Sequence, residues 1–178
     1  VPGLRYRGTQ AGAAATARPS VPVGAIFPLN TVKLRPDGPT SADAAGLPIL
    51  PALIRCDEIR AGSIDRALRF TVQNPQAGYI HPATHFASAD EDRNLPPIGL
   101  RVRLKTSYDI SHFNRTATIV LIAMKTYGMF VADNGSNWFF QGEGGSAAAC
   151  WNDRELDALK NVPGSAFEVV KTGPILRS

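Results

Sequence analysis

Arg66-Ala67-Leu68-Arg69-Phe70-Thr71-Val72 is the stretch on which the fold class turns. Leu68, Phe70 and Val72 alternate with Arg69 and Thr71, the period of a strand with one face in a core and the other on polar surroundings. Leu100, Val102 and Leu104 repeat the pattern against Arg101, Arg103 and Lys105. If these two strands pair, the sheet has an apolar face and a cationic face.

Between them, Pro75, Pro82, Pro96 and Pro97 forbid long regular elements, so Asn74 to Gly99 reads as a long loop or a set of short edge strands. Downstream, Ala117, Val120, Leu121 and Met124 recur at helical spacing, and Gly128 follows Lys125, so residues 115–127 read as one buried helix. The β-branched residues Thr116, Thr118, Ile119, Val120 and Ile122 oppose that reading. Met129 to Ala132 and Asn137 to Phe140 flank Asp133-Asn134-Gly135-Ser136, where Asn-Gly suits the positive φ values of a tight hairpin turn. Gly142 to Gly145 reads as a loop, Asn152 as the cap of a short helix through Lys160, and Ala166 to Val170 as a last strand.

Upstream of the opening stretch, a helical turn over Asp57 to Ala61 ends at Gly62. Pro48 and Pro51 keep Leu47 to Ile54 extended, and Thr40-Ser41-Ala42-Asp43 reads as a capped turn. Val23 to Leu34, broken by Pro28 and Asn30, suits edge strands. Residues 1–21, rich in Ala, Gly, Thr and Pro, read as a flexible arm, which leaves 22–178 as one β-rich domain. The expected fold is mostly β with a few short helices at its margin, a β-sandwich or its jelly-roll variant.

Composition narrows the function classes. The chain has 178 residues, 44% of them hydrophobic, enough for one domain with a sizeable core. Nineteen basic against 15 acidic residues give a net charge of +4, without the dense basic runs of nucleic-acid arms, so no nucleic-acid partner is expected. The apolar run around Ile119 to Met124 is far shorter than the roughly 20 residues that cross a bilayer. Val1-Pro2-Gly3 lacks an initiator Met, as in a chain trimmed after export. Cys56 and Cys150 are too far apart for a CxxC pair and are either free or bridged. Asn114-Arg115-Thr116 and Asn134-Gly135-Ser136 are glycosylation sequons.

Four groups of residues carry candidate chemistry, each with a plain structural alternative. Asp43, Asp57 and Glu58 are acid/base candidates, because glycoside hydrolysis needs one carboxyl to protonate the leaving oxygen and another as base or nucleophile; caps and solvated turns use the same residues. His85 is a proton-transfer candidate. The i,i+4 spacing of His81 and His85 would serve a metal only on a helix, which Pro82 opposes, so no metal or cofactor is expected. The cationic stripe of Arg69, Arg101, Arg103 and Lys105 suits the carboxylates of an acidic polysaccharide, or is simply solvated. Trp138 and Trp151, with Tyr79, Phe86, Tyr108, Phe139 and Phe140, offer rings on which sugars stack, unless they fill the core.

Leu34-Arg35-Pro36-Asp37-Gly38, Thr40-Ser41-Ala42-Asp43-Ala44-Ala45-Gly46-Leu47-Pro48-Ile49, Ala67-Leu68-Arg69-Phe70-Thr71 and Tyr127-Gly128-Met129 through Asp133-Asn134-Gly135-Ser136 occur in one order. In this the chain, from about Gly24 to Val170, resembles a family of exported microbial proteins to which no reaction is assigned. Pro39, Cys56 and Arg66 depart from the Trp, Tyr and His common at those places in the family. The resemblance implies secretion, a polysaccharide-associated role, and a further N-terminal segment in the precursor.

The expected function is that of an exported carbohydrate-active protein. It would be a hydrolase or lyase using Asp43, Asp57, Glu58 and His85, with Arg69, Arg101, Arg103 and Trp138 on the polysaccharide. The alternatives are a noncatalytic carbohydrate-binding or cell-surface module, and a structural fragment that associates with a missing N-terminal portion or with itself.

Overall fold

In a computed structural model the protein is described at residues 5–8, 25–28, 30–31, 33–40, 43–144 and 153–177. The strands are β1 (Arg5–Gly8), β2 (Leu68–Val72), β3 (Arg101–Leu104), β4 (Met129–Asn134), β5 (Phe139–Gly142) and β6 (Phe167–Val169). They form one mixed sheet in the order β1-β5-β2-β4-β3-β6. Pairs β1/β5 and β2/β4 are parallel, whereas β2/β5, β3/β4 and β3/β6 are antiparallel. The helices are α1 (Cys56–Ala61), α2 (Arg115–Thr126) and α3 (Asp153–Asp157). The fold is therefore mixed α/β, dominated by its sheet. A sandwich or jelly roll needs two facing sheets, and the strands among the described residues join a single one.

The alternating pattern of β2 sends Leu68, Phe70 and Val72 into the core with Met129 and Val131 of β4, Phe140 of β5, and Val102 and Leu104 of β3. Helix α2 adds Ala117, Val120, Leu121, Ala123 and Met124 to the same core and contacts β3 and α3. Burying a Leu121-sized side chain contributes about 1.5–3 kcal/mol, which outweighs the few tenths per residue that β-branched positions cost a helix. Asn114 starts α2 by accepting from the Ala117 amide at 2.9 Å, and Gly128 at φ +77° ends it. Helix α1 begins one residue before the expected start and stops at Gly62 with φ +90°.

Several expectations are corrected. β4 and β5 do not form a hairpin around Asp133-Asn134-Gly135-Ser136: β2 lies between them, parallel to β4 and antiparallel to β5. Thr71 and Val72 of β2 take the hydrogen bonds that would otherwise join the two flanking strands. The Gly135 amide donates to Val72 O at 2.9 Å and the Trp138 amide to Thr71 O at 3.0 Å. The positive φ of this connection falls on Trp138, at 61°, not on Asn134 or Gly135. Likewise β2 and β3 are not neighbours, because β4 separates them.

Arg5–Gly8, expected in a flexible arm, is an edge strand along β5. The described residues between 25 and 34 carry no strand, and a 3-10 turn at Leu50–Ala52 interrupts the stretch expected to be extended. Residues 74–99 form the expected long loop, tied down where Tyr79 bridges Ile98 and Leu176. Asn152, Cys150 and Trp151 lie outside the described residues. Cys56 is disulfide-bonded.

Candidate functional site

Arg69 lies on the face of β2 opposite the core, yet it is only 3% exposed. A buried guanidinium needs partners, and β4, β5 and the segment at Asp43 each supply one. Its Nη2 donates to Asp43 Oδ2 at 3.1 Å and lies 3.7 Å from Asp133 Oδ2, while Nη1 donates to Gln141 Oε1. Arg69 Nε is buried with no hydrogen-bond partner among the described residues.

Asp133 reaches this face because of a β-bulge. Phe70 pairs with Val131 but Thr71 pairs with Asp133, so Ala132 is an extra residue in β4. Without it, strict alternation would turn Asp133 toward the core face. The bulge also leaves the Ala132 carbonyl to accept from the Ala45 amide at 3.0 Å, which pins residues 43–47 against the sheet. Asp133 Oδ1 reinforces that link, accepting from the amides of Ala44 at 3.3 Å and Asn134 at 2.9 Å.

Beside this cluster, where β2 and β4 end and β5 begins, lies a recess of about 150 Å³ lined by Arg69, Thr71, Asp133, Ser136, Phe139 and Gln141, with Asn134 and Gly135 at the connection. Asp133 is its one carboxylate. The Asp43 side chain is fully buried behind Arg69, and its Oδ1 accepts from the Leu47 amide at 3.0 Å.

Loss of hydration raises the Asp43 carboxyl above its ordinary 3.8, outweighing the Arg69 guanidinium and the Leu47 amide, which lower it; the Asp133 charge adds to the rise. A native state that holds this proton more tightly than the unfolded chain draws its full benefit from Asp43 below pH 3.8 and loses it as the pH climbs through the raised native value. The wild type is therefore expected to lose stability relative to Asp43→Asn as the pH rises from about 3 to about 7. Parallel denaturant titrations of the two proteins read this, and a difference that stays flat with pH contradicts it.

None of the other expected site residues is a partner of Arg69. Asp57 and Glu58 open α1, where Arg55 pairs with both and Arg66 Nη2 meets Glu58 Oε2 at 2.5 Å. Glu58 lines a different depression, which shares no residue with the Arg69 recess. His85 is near Asp43 but turned to the backbone, its Nδ1 2.9 Å from Ala44 O; His81 pairs with Asp37 at 2.9 Å.

The cationic stripe is engaged by the fold itself. Arg101 donates to Tyr127 O and sits over the Phe130 ring, Arg103 meets Glu168 at 2.6 Å, and Lys105 Nζ donates to Ser165 O at 2.9 Å. Trp138 is half-buried and packs on two aromatic neighbours, the Phe70 ring stacked with centroids 5.1 Å apart and the Phe167 ring tilted at 5.0 Å. The structure thus brings Asp43 and Arg69 together with Phe139, one of the rings expected to stack on sugars, and adds Asp133, Gln141 and Thr71, which the sequence reading did not select as site residues. An Asp at the end of an apolar run, where strands disfavour it, was the available signal.

The chain matches no protein-family model, no curated protein and no solved structure.

Proposed function

We propose that the chain is an exported carbohydrate-active protein that holds a sugar unit of a polysaccharide in the Arg69–Asp133 recess, binding it without cleaving it. The observation that carries this reading is the lining of the recess: one partly exposed carboxylate, the Thr71 hydroxyl, the Gln141 amide and the Phe139 ring. Sugar hydroxyls need acceptors of this kind, and an aromatic ring offers a surface for the apolar face of a pyranose. The recess sits at the carboxyl ends of the parallel pair β2/β4, a place where mixed sheets leave room for a ligand between connections.

Binding is favoured over cleavage by the number of carboxyls. Hydrolysis uses two, flanking the scissile bond, whereas this recess is lined by Asp133 alone and Asp43 is sealed behind Arg69. The disulfide at Cys56 supports export to an oxidising compartment.

Affinity electrophoresis against neutral and acidic polysaccharides tests the reading, with reducing ends and unsaturated products assayed in parallel. Retardation without products is the expected result, and Phe139→Ala is expected to weaken binding about tenfold by removing the stacking surface. New reducing ends would turn the reading into a hydrolase, and unsaturated ends into a lyase. A folded chain that migrates unchanged in every glycan gel ends the proposal.

A further inference from the structure

A second cavity, sharing no lining residue with the recess, lies between Phe27, Pro28, Thr31 and residues 33–35 on one side and the segments 46–51 and 82–84 on the other. It measures about 270 Å³, and its walls include Phe27, Leu34, Leu47 and Pro48. Two cations, Lys33 and Arg35, stand among these apolar walls. Arg35 donates to Thr40 O at 3.0 Å and lies over the Phe27 ring at 5.6 Å, and no carboxylate pairs with it or with Lys33 among the described residues.

Thr84, 1% exposed, also lines the cavity, and its buried hydroxyl has no hydrogen-bond partner among the described residues. Beside it the chain has Gly46 at φ +71°, where a Cβ would collide with Thr84 Oγ1, so the glycine backbone packs closely on the hydroxyl at this end of the cavity.

We infer that this cavity is a binding site for a small amphipathic carboxylate, an aryl acid whose ring lies among Phe27, Leu34, Leu47 and Pro48 and whose carboxylate meets Arg35 and Lys33. The volume sets the size: at about 30 Å³ for each water-sized group it holds roughly nine such groups, a phenyl ring with a short acid side chain. The charge sets the class, since two cations without carboxylate partners favour an anion and a guanidinium fork matches a carboxylate. The site is independent of the sugar reading and stands or falls separately from it.

The test is calorimetric or NMR titration of the full chain with trans-cinnamate, alongside its neutral isostere cinnamyl alcohol. Saturable binding of the acid is expected, with the alcohol weaker by about tenfold or more because it forgoes the charge-assisted contacts. Arg35→Gln and Lys33→Gln, both on weakly buried positions, are each expected to reduce affinity for the acid and leave that for the alcohol nearly unchanged. Absence of saturable binding to the folded chain, equal affinity for acid and alcohol, or an acid affinity unmoved in both charge variants would overturn the assignment.

Discussion

Arg69→Ala is expected to cost the folded chain about 3–5 kcal/mol, because it takes the neighbouring cation away from a buried carboxylate. Arg69 Nη2 is the cation beside Asp43 Oδ2, at 3.1 Å, and the Asp43 side chain is fully buried. Removing the guanidinium also leaves Gln141 without its donor and Asp133 without a neighbouring positive charge. The pair itself is a weaker source of stability than the penalty for breaking it, since ordering and dehydrating two charges offsets most of their attraction. The double variant Asp43→Leu/Arg69→Met is therefore expected to recover much of the loss. Urea unfolding of the three proteins measures both effects. A loss below about 1 kcal/mol for Arg69→Ala would mean that water or rearrangement compensates Asp43 and that the cluster is not a closed unit.

Gly99→Ala is the second large effect, expected at about 2–5 kcal/mol from positive-φ strain and overpacking together. Gly99 has φ +82°, and a Cβ there would collide with Ile80 O and stand 2.8 Å from Ala83 Cβ. Its amide donates to Val131 O at 2.7 Å, so the crowded point is where the 74–99 loop joins β4, one residue before the bulge. Gly38→Ala is the control: φ is +101°, but nothing lies within 4 Å of its Cβ position, so only the conformational cost of about 1–2 kcal/mol remains. Thermal unfolding of both variants separates the terms, and equal losses would show that the collision at Gly99 is relieved by a shift of the loop.

The candidate site was legible in part. Asp43 and Arg69 stood out as a carboxylate and a strand cation, and the structure places them in contact. Their grouping with Asp57, Glu58, Arg101 and Arg103 did not hold, because charged residues on strands and helix starts look alike in sequence whether they meet a ligand or a neighbour. Arg103 illustrates this: its position across from Glu168 is a consequence of β3/β6 pairing, which joins residues far apart in the chain. Asp133 was hidden for a related reason. Asn134-Gly135 is a strong local signal for a hairpin, but β2 takes the hydrogen bonds on both sides of that connection.

What the sequence by itself determined is whatever nearest neighbours along the chain decide. The two-residue alternation of β2 and β3, the apolar stripe of α2 with its Asn114 start and Gly128 stop, and the proline-punctuated loop all follow from side-chain period and backbone stiffness. The tertiary structure decided the strand order, the extra residue at Ala132, and the meeting of Asp43, Asp133 and Gln141 around one guanidinium. Those depend on hydrogen bonds between segments tens of residues apart, whose partner choice is made by the shared burial of the whole sheet and leaves no periodic trace in any one segment.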